Sequence, residues 1–449
     1  MRAEYTHLVN AAHRFSTAPS SGPPGLAAWG RAFGVASLIH LTLPDVQEPG
    51  WIGPAMLEAV GALWLLYRPA AAAFALCAIG TALPLLFLRD VLTQSMYLTW
   101  AASVGVFAAM GRADGFRDTI RLLTAGTYLL ASVHKLNTDF FDPAISCANH
   151  AVAQFVQRWP WLTPVESIAD ALPILTLGIE LAIAWLVLRG HPLMWLVGLV
   201  FHLPLTVTLA PAFGPVVMSG YVAAMRPRDA VVVRSIWAQR KGVLALGALL
   251  VVALDVVSTG SLEGPVFTLK LCLAGAIGAG GVLLLGSRVK SRRPTAGRVA
   301  RIIAVAWCLH GLTPYFGLQY QHTAAMLSNL RVDRPCHNSL IFSPLLVGRD
   351  PYLRIESADI GQGQRPRRET VLESSLWNVA ALHTMRRNWC RDHLRPIVLT
   401  GTWRGETFAM DDLCAPDWLT HLPGAEWLPA GFQRFQKNLP RTCQAACIH

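Results

Sequence analysis

Between residues 27 and 320, long apolar runs recur. Such a run satisfies its own backbone polar groups only as a helix, and a set of such helices is at home in the hydrocarbon core of a bilayer. The candidate spans are Leu26–Leu43, Pro54–Tyr67, Ala70–Leu88, Val91–Met110, Thr119–Leu136, Ala171–Leu188, Leu193–Ala210, Phe213–Met225, Val243–Ser258, Pro265–Gly286 and Ala300–Leu318. That is about eleven crossings. Several are shorter than ~20 residues, which leaves tilted, re-entrant or lipid-shielded helices as options. Charged residues make up 14% of the chain, where a soluble domain carries about 25%. The expected fold is an all-α polytopic membrane bundle of about 9–11 spans, followed by a small extracytoplasmic α/β domain.

The cations set an orientation. The chain has 38 Lys+Arg against 27 Asp+Glu, and in a membrane protein that excess orients the spans, so nucleic acid need not be invoked. Arg2, Arg14, Arg31, Arg68, Arg112, Arg117, Arg121, Arg189, Arg226, Arg228, Arg234, Arg240, Lys241 and the cluster Arg288–Arg301 all fall on one side of the span count. Pro44–Gly53, Pro211–Pro215 and Thr259–Gly264, on the other side, hold no cation; Arg89 and Arg158 are the exceptions. The expectation is a multi-pass cell-membrane protein with a cytoplasmic N-terminal segment (1–25), a bundle (26–320) and an extracytoplasmic C-terminal domain (321–449). Met1 to Pro24 lacks the charged, apolar, small-residue layout of a signal peptide.

The tail is more charged and its apolar segments are shorter. Asn338–Leu346 reads as a strand and Thr370–His393 as a helix with an apolar stripe. Ile397–Thr402 and Glu406–Met410 read as a hairpin around Arg404-Gly405. Of nine cysteines, Cys77, Cys272 and Cys308 fall in spans. Cys147, Cys336, Cys390, Cys414, Cys443 and Cys447 all fall on the outer side, an even set that suggests disulfides of open connectivity. Cys443-x3-Cys447 with His449 behind it also admits a metal site, which lacks a fourth ligand; no metal is expected.

The chemistry concentrates at the outer end of the fifth span, in Val133-His134-Lys135-Leu-Asn137-Thr-Asp139-Phe-Phe-Asp142. A lysine there either snorkels to the interface or is held for chemistry. Stripped of water, it favours the neutral amine, a base near neutral pH. Asn137, Asp139 and Asp142 are within reach as hydrogen-bond or ion-pair partners, and pairing with Asp139 at i+4 is the plain structural alternative. Glu180 and Asp255 lie at membrane depth, where an ionisable group is either functional or one half of a buried pair. His202 sits mid-span, where packing through a hydrogen bond competes with catalysis; His40, His310 and His322 lie near span ends. Tryptophans at span edges, Trp51, Trp100, Trp159, Trp161 and Trp195, fit an interfacial belt. The chain has no GxSxG, HExxH, P-loop or strand-to-helix GxGxxG, so hydrolase, metalloprotease and nucleotide-driven pump readings lack local support.

Tyr128-Leu-Leu-Ala-Ser-Val-His-Lys135-Leu-Asn-Thr-Asp139-Phe resembles the Tyr-x-x-Ala-Gly-x-x-Lys-Leu-x-x-Asp-Trp segment of the vitamin K-dependent γ-glutamyl carboxylases and their bacterial relatives, the horizontally transferred transmembrane (HTTM) family. Phe201-His-Leu-Pro-Leu-Thr, running on to Gly214-Pro-Val-Val-Met-Ser-Gly-Tyr221, is similar to the family's later His-containing span. Leu312-Thr-Pro-Tyr-Phe-Gly-Leu318 and Met326-Leu-Ser-Asn-Leu-Arg331 are similar to the family's join between bundle and tail. The resemblance implies Lys135 as the base that deprotonates a reduced, vitamin K-like quinone, with His202 as a second catalytic residue. It also implies Tyr128, His134, Asn137, Asp139 and Glu180 as quinol-binding residues, with carboxylation or oxidation of a protein or peptide at the tail as the coupled outcome. Two departures stand out. The family's Asn-His pair is replaced by Gln94-Ser95, and its second lysine by His134. Base chemistry on a membrane-soluble quinol survives that loss better than carboxylation does. The alternative is a non-enzymatic membrane carrier or assembly scaffold with a partner-binding tail, motivated by Glu180 and Asp255.

Overall fold

The computed structural model describes residues 25–43, 52–87, 93–111, 115–261, 264–286, 296–316, 323–344 except 326, 352–360, parts of 372–390, 396–422 and 438–447. Arg2, Arg14, Trp51, Arg89, Arg112, the cations from Arg288 to Arg293, His322, Met326, His383 and His449 lie outside the described residues.

The N-terminal region is helical. In chain order it comprises α1 (Leu26–His40), α2 (Ile52–Tyr67), α3 (Ala71–Phe87), α4 (Thr93–Ala109), α5 (Phe116–His134), α6 (Thr138–Phe141) and α7 (Cys147–Arg158). A 3₁₀ segment, Pro160–Ala171, then leads into α8 (Leu172–Arg189), α9 (Met194–Val207), α10 (Phe213–Ala224), α11 (Pro227–Gln239), α12 (Lys241–Thr259), α13 (Pro265–Gly286) and α14 (Arg298–Gly311). Each apolar run read from the sequence corresponds to one of these helices. Among the described residues, three stretches are long and apolar enough to cross a membrane: Pro160–Arg189, Lys241–Thr259 and Pro265–Leu285. Four more apolar helices are shorter, among them Ile52–Tyr67 and Met194–Val207.

The outward faces explain why this bundle suits lipid. Leu246, Leu249, Leu250 and Val257 on α12, and Ile302, Val305 and Leu309 on α14, are exposed, an arrangement that water penalises and hydrocarbon does not. Inside, small residues let the helices approach. A Cβ on Gly275 would fall within 2.1 Å of the Gly247 carbonyl oxygen, so α12 and α13 touch backbone to backbone. Trp29, Phe33 and Phe74 stack where α1 meets α3, which ties the first helices into one core.

The tail is a small disulfide-bonded antiparallel sheet domain. Its strands are β1 (Leu353–Asp359), β2 (Ser375–Trp377), β3 (Val398–Trp403), β4 (Glu406–Met410) and β5 (Asn438–Pro440), in the order β4-β3-β1-β2-β5. The hairpin read from the sequence is present: Trp403 pairs with Glu406, and Arg404 and Gly405 take φ of 55° and 85°. Both central residues are left-handed, the geometry of the tight turn that matches strand twist. Alternation along β3 buries Leu399 and Trp403 in the sheet core with Leu353, Ile355 and Phe408.

Two segments differ from expectation. Within Asn338–Leu346, only a single bridge forms among the described residues, from Ser339 to Asn137 of the bundle, because the segment's bonds go to the bundle and not to a neighbouring strand. In Thr370–His393, residues 372–374 and the described residues 379, 382, 385, 386 and 389 are helical, but Ser375–Trp377 is drawn into the sheet as β2 between β1 and β5. Tertiary pairing overrides the local helical stripe there.

The six cysteines outside the spans pair as Cys147–Cys447, Cys336–Cys443 and Cys390–Cys414. Cys443 and Cys447 are thereby removed as thiolate ligands, which overturns the metal alternative at the C-terminus. Cys147 belongs to α7, so its bridge to Cys447 fastens the tail to the bundle. The disulfides are consistent with an oxidising, extracytoplasmic compartment.

Candidate functional site

Lys135 caps the C-terminal end of α5, and its amide donates to the Ala131 carbonyl. Its side chain turns inward and does not snorkel. The residue is 4% exposed, and Nζ donates to Glu180 Oε1 of α8 at 3.0 Å. The partner is therefore Glu180, and neither Asp139 nor Asp142. Asp139 Oδ1 accepts from the Thr138 hydroxyl, while Asp142 Oδ1 accepts from the Ala144 amide. The Phe140 ring lies 5.7 Å from Lys135 Nζ, an aromatic face that favours a cation. Glu180 Oε2 is buried and has no hydrogen-bond partner among the described residues. A buried oxygen left open beside a fixed ammonium is uncommon, because desolvating it without a partner costs ~1–3 kcal/mol.

Two turns earlier on α5, Tyr128 enters a second network. Its hydroxyl lies 2.5 Å from His202 Nε2 of α9 and 2.5 Å from the Tyr221 hydroxyl of α10. His202 Nδ1 is buried without a partner among the described residues. The ring lines an apolar cavity of about 300 Å³ between α1, α9, α10 and α13. Lys135 does not line that cavity. The two residues expected to act together thus belong to neighbouring but distinct networks.

His134 and Asn137 serve the joint with the tail. His134 Nε2 donates to the Thr323 carbonyl at 2.8 Å, so Nδ1 is left to accept from the Tyr315 hydroxyl at 3.0 Å. Asn137 donates to the carbonyls of His134 and Ser328 and caps α6 by accepting from the Phe140 amide. All of its polar atoms are engaged, which marks it as a structural clasp at the end of the bundle that carries Lys135.

Asp255 is also taken up. Both of its oxygens accept from Arg158, at 2.9 Å each, and Oδ1 accepts from Trp159 Nε1. This buried pair explains why Arg158 breaks the cation rule: it neutralises a carboxylate on α12.

One constellation escaped the sequence. His40 Nδ1 sits 3.1 Å from both Glu58 oxygens, and its Nε2 is 3.0 Å from Ser95 Oγ. An acid–imidazole–hydroxyl line suggests nucleophilic chemistry. Here all three residues are sealed, at 0–1% exposure, so the line holds α1, α2 and α4 together as a satisfied polar knot. Glu58 and Ser95 lie far from His40 in sequence and share no motif with it, so no local signal could have found the set. No protein family, no curated protein and no solved structure matches this chain.

Proposed function

We propose that the chain is an integral membrane enzyme that takes a proton from a lipid-soluble, quinol-class substrate at the Lys135–Glu180 pair. The carrying observation is Glu180: one carboxylate oxygen is held by Lys135 and the other is buried and open. That orphaned acceptor, on a carboxylate whose partner Lys135 lies 5.7 Å from the Phe140 ring, fits a phenolic hydroxyl on an aromatic group. When bound, a reduced quinone supplies acidic hydroxyls and two electrons. The division of labour differs from that of a lone amine. Lys135 is already engaged by a carboxylate, so Glu180 Oε2 is the atom that accepts the proton. Lys135 keeps the charge of the site balanced while the proton moves.

The resemblance to the γ-carboxylase family supports the same reading through Tyr128, Lys135 and His202. In it, the N-terminus is cytoplasmic and the tail extracytoplasmic, as the cation distribution and disulfides favour. The tail is fastened at the Lys135 end of the bundle, where a protein or peptide substrate could be presented. The carrier alternative draws less support. Asp255 is tied by both oxygens to Arg158, which leaves it no open position for a transported proton.

Purified protein supplied with a reduced quinone and oxygen tests the proposal. Turnover is expected in the wild type, falling about 100-fold or more in Glu180→Gln and Lys135→Ala, with both variants still inserted in the membrane. Unchanged turnover in both would remove the pair from the chemistry. Proton-coupled uptake into vesicles, without quinol turnover, would favour the carrier.

A further inference from the structure

The cavity beside His202 is a feature that the proton-transfer proposal leaves unused. Its wall runs along α9 from Trp195 to Val207, which at helical rise is about 18 Å. The lining is apolar almost throughout, so the hollow suits hydrocarbon better than water. Four polar side chains interrupt it, Thr206, Ser219, His202 and Lys270, and only the last two can carry charge. His202 is 2% exposed, and its Nδ1 has no partner among the described residues. Lys270 of α13 is half-buried, and none of the lining residues is a carboxylate.

His202 and Lys270 both lie toward the end of the cavity where α9 stops, with Lys270 the nearer to that end. His202 lies five residues before Val207, where α9 ends, and Lys270 lies five residues after Pro265, where the antiparallel α13 begins. Gly278 and Gly281 of α13 pack against Leu199 and Leu196 of α9, a register that sets Lys270 level with Val207, about 7–8 Å nearer that end than His202. From His202 toward Trp195, the slot continues for about 10 Å with apolar walls. The hollow is thus polar near one end and greasy along the rest.

We infer that this cavity binds a single-chain amphiphile with an anionic head, its chain running toward Trp195 and its head between Lys270 and His202. Because His202 Nε2 faces the Tyr128 hydroxyl, a ring with its proton on Nδ1 accepts from Tyr128 and donates to the head. An ammonium in an apolar wall with no carboxylate among the described lining residues selects a carboxylate over a neutral head. The chemistry is that of a long-chain fatty acid anion, and a two-chain bilayer phospholipid is the competing source. The inference stands whether or not the chain performs proton transfer at Glu180.

Trp195 supplies the readout, since it lines the far part of the slot. Purified full-length protein in detergent is titrated with dibrominated stearate at mildly alkaline pH, and bromine quenching of tryptophan is followed. Saturable quenching is expected, and most of its saturable part should vanish in Trp195→Phe. Lys270→Gln should weaken the acid about tenfold and leave the methyl ester unchanged. The partly exposed Lys270 position makes that variant safe for folding. Three results would overturn the assignment: quenching that never saturates, full quenching in Trp195→Phe, or an acid-to-ester preference unchanged in Lys270→Gln. Equal quenching by a dibrominated phosphatidylcholine would show instead that ordinary bilayer lipid fills the slot.

Discussion

Removing either member of the Lys135–Glu180 pair should destabilise the bundle far more than removing both. The ions are 3.0 Å apart, with side-chain exposures of 5% and 4%. At an effective dielectric of about 20, their attraction is roughly 5–6 kcal/mol, which offsets the cost of taking both out of water. Glu180→Leu leaves an ammonium buried with no counter-charge, and Lys135→Met leaves a carboxylate in the same position. Each single change should therefore cost about 3–5 kcal/mol, while the double variant, apolar on both sides, should lie near the wild type. The assay is reversible unfolding in mixed detergent micelles with rising dodecyl sulfate, followed by circular dichroism for all four proteins. Additive losses, with the double variant at the sum of the singles, would refute the idea that the two charges chiefly neutralise one another. The double variant also separates stability from chemistry, since it should fold and be inactive.

Other predictions follow from the same structure. Asp255→Asn should remove the counter-charge of Arg158 and lower stability by about 3 kcal/mol, checked in the same micelle titration. Cutting at a protease site engineered into the connection between α13 and α14 should leave two fragments linked by Cys147–Cys447. They should separate on a denaturing gel only after reduction. Burial pushes the His337 imidazole below its ordinary 6.5, against the opposing pull of Asp333. The unfolded chain therefore takes up this proton first. The contribution is fully present above about pH 6.5 and is lost as the pH falls through the depressed folded value. Tail unfolding should ease with acid over that range, and His337→Gln should flatten the dependence. A cysteine at Arg240 should react with an impermeant maleimide from the face opposite the tail; labelling from the tail's own face would invert the proposed orientation.

The helices were legible because their cause is local. An apolar run long enough to bury its own backbone bonds announces itself residue by residue, and Leu26–His40 through Arg298–Gly311 follow those runs closely. The β3–β4 hairpin was legible for the same reason: Arg404-Gly405 supplies the turn and the alternation supplies the faces. Even the cysteine pairing was half visible, as an even set on one side. Partners were not visible. Glu180 is 45 residues from Lys135, Glu58 is 18 from His40, and Cys447 is 300 from Cys147. Nothing in spacing selects those pairs over Asp139, His310 or Cys443, because low-dielectric packing chooses a buried charge's partner from whatever neighbouring helices bring close. The sequence alone determined which segments leave water, and tertiary packing alone decided which polar groups they carried in together.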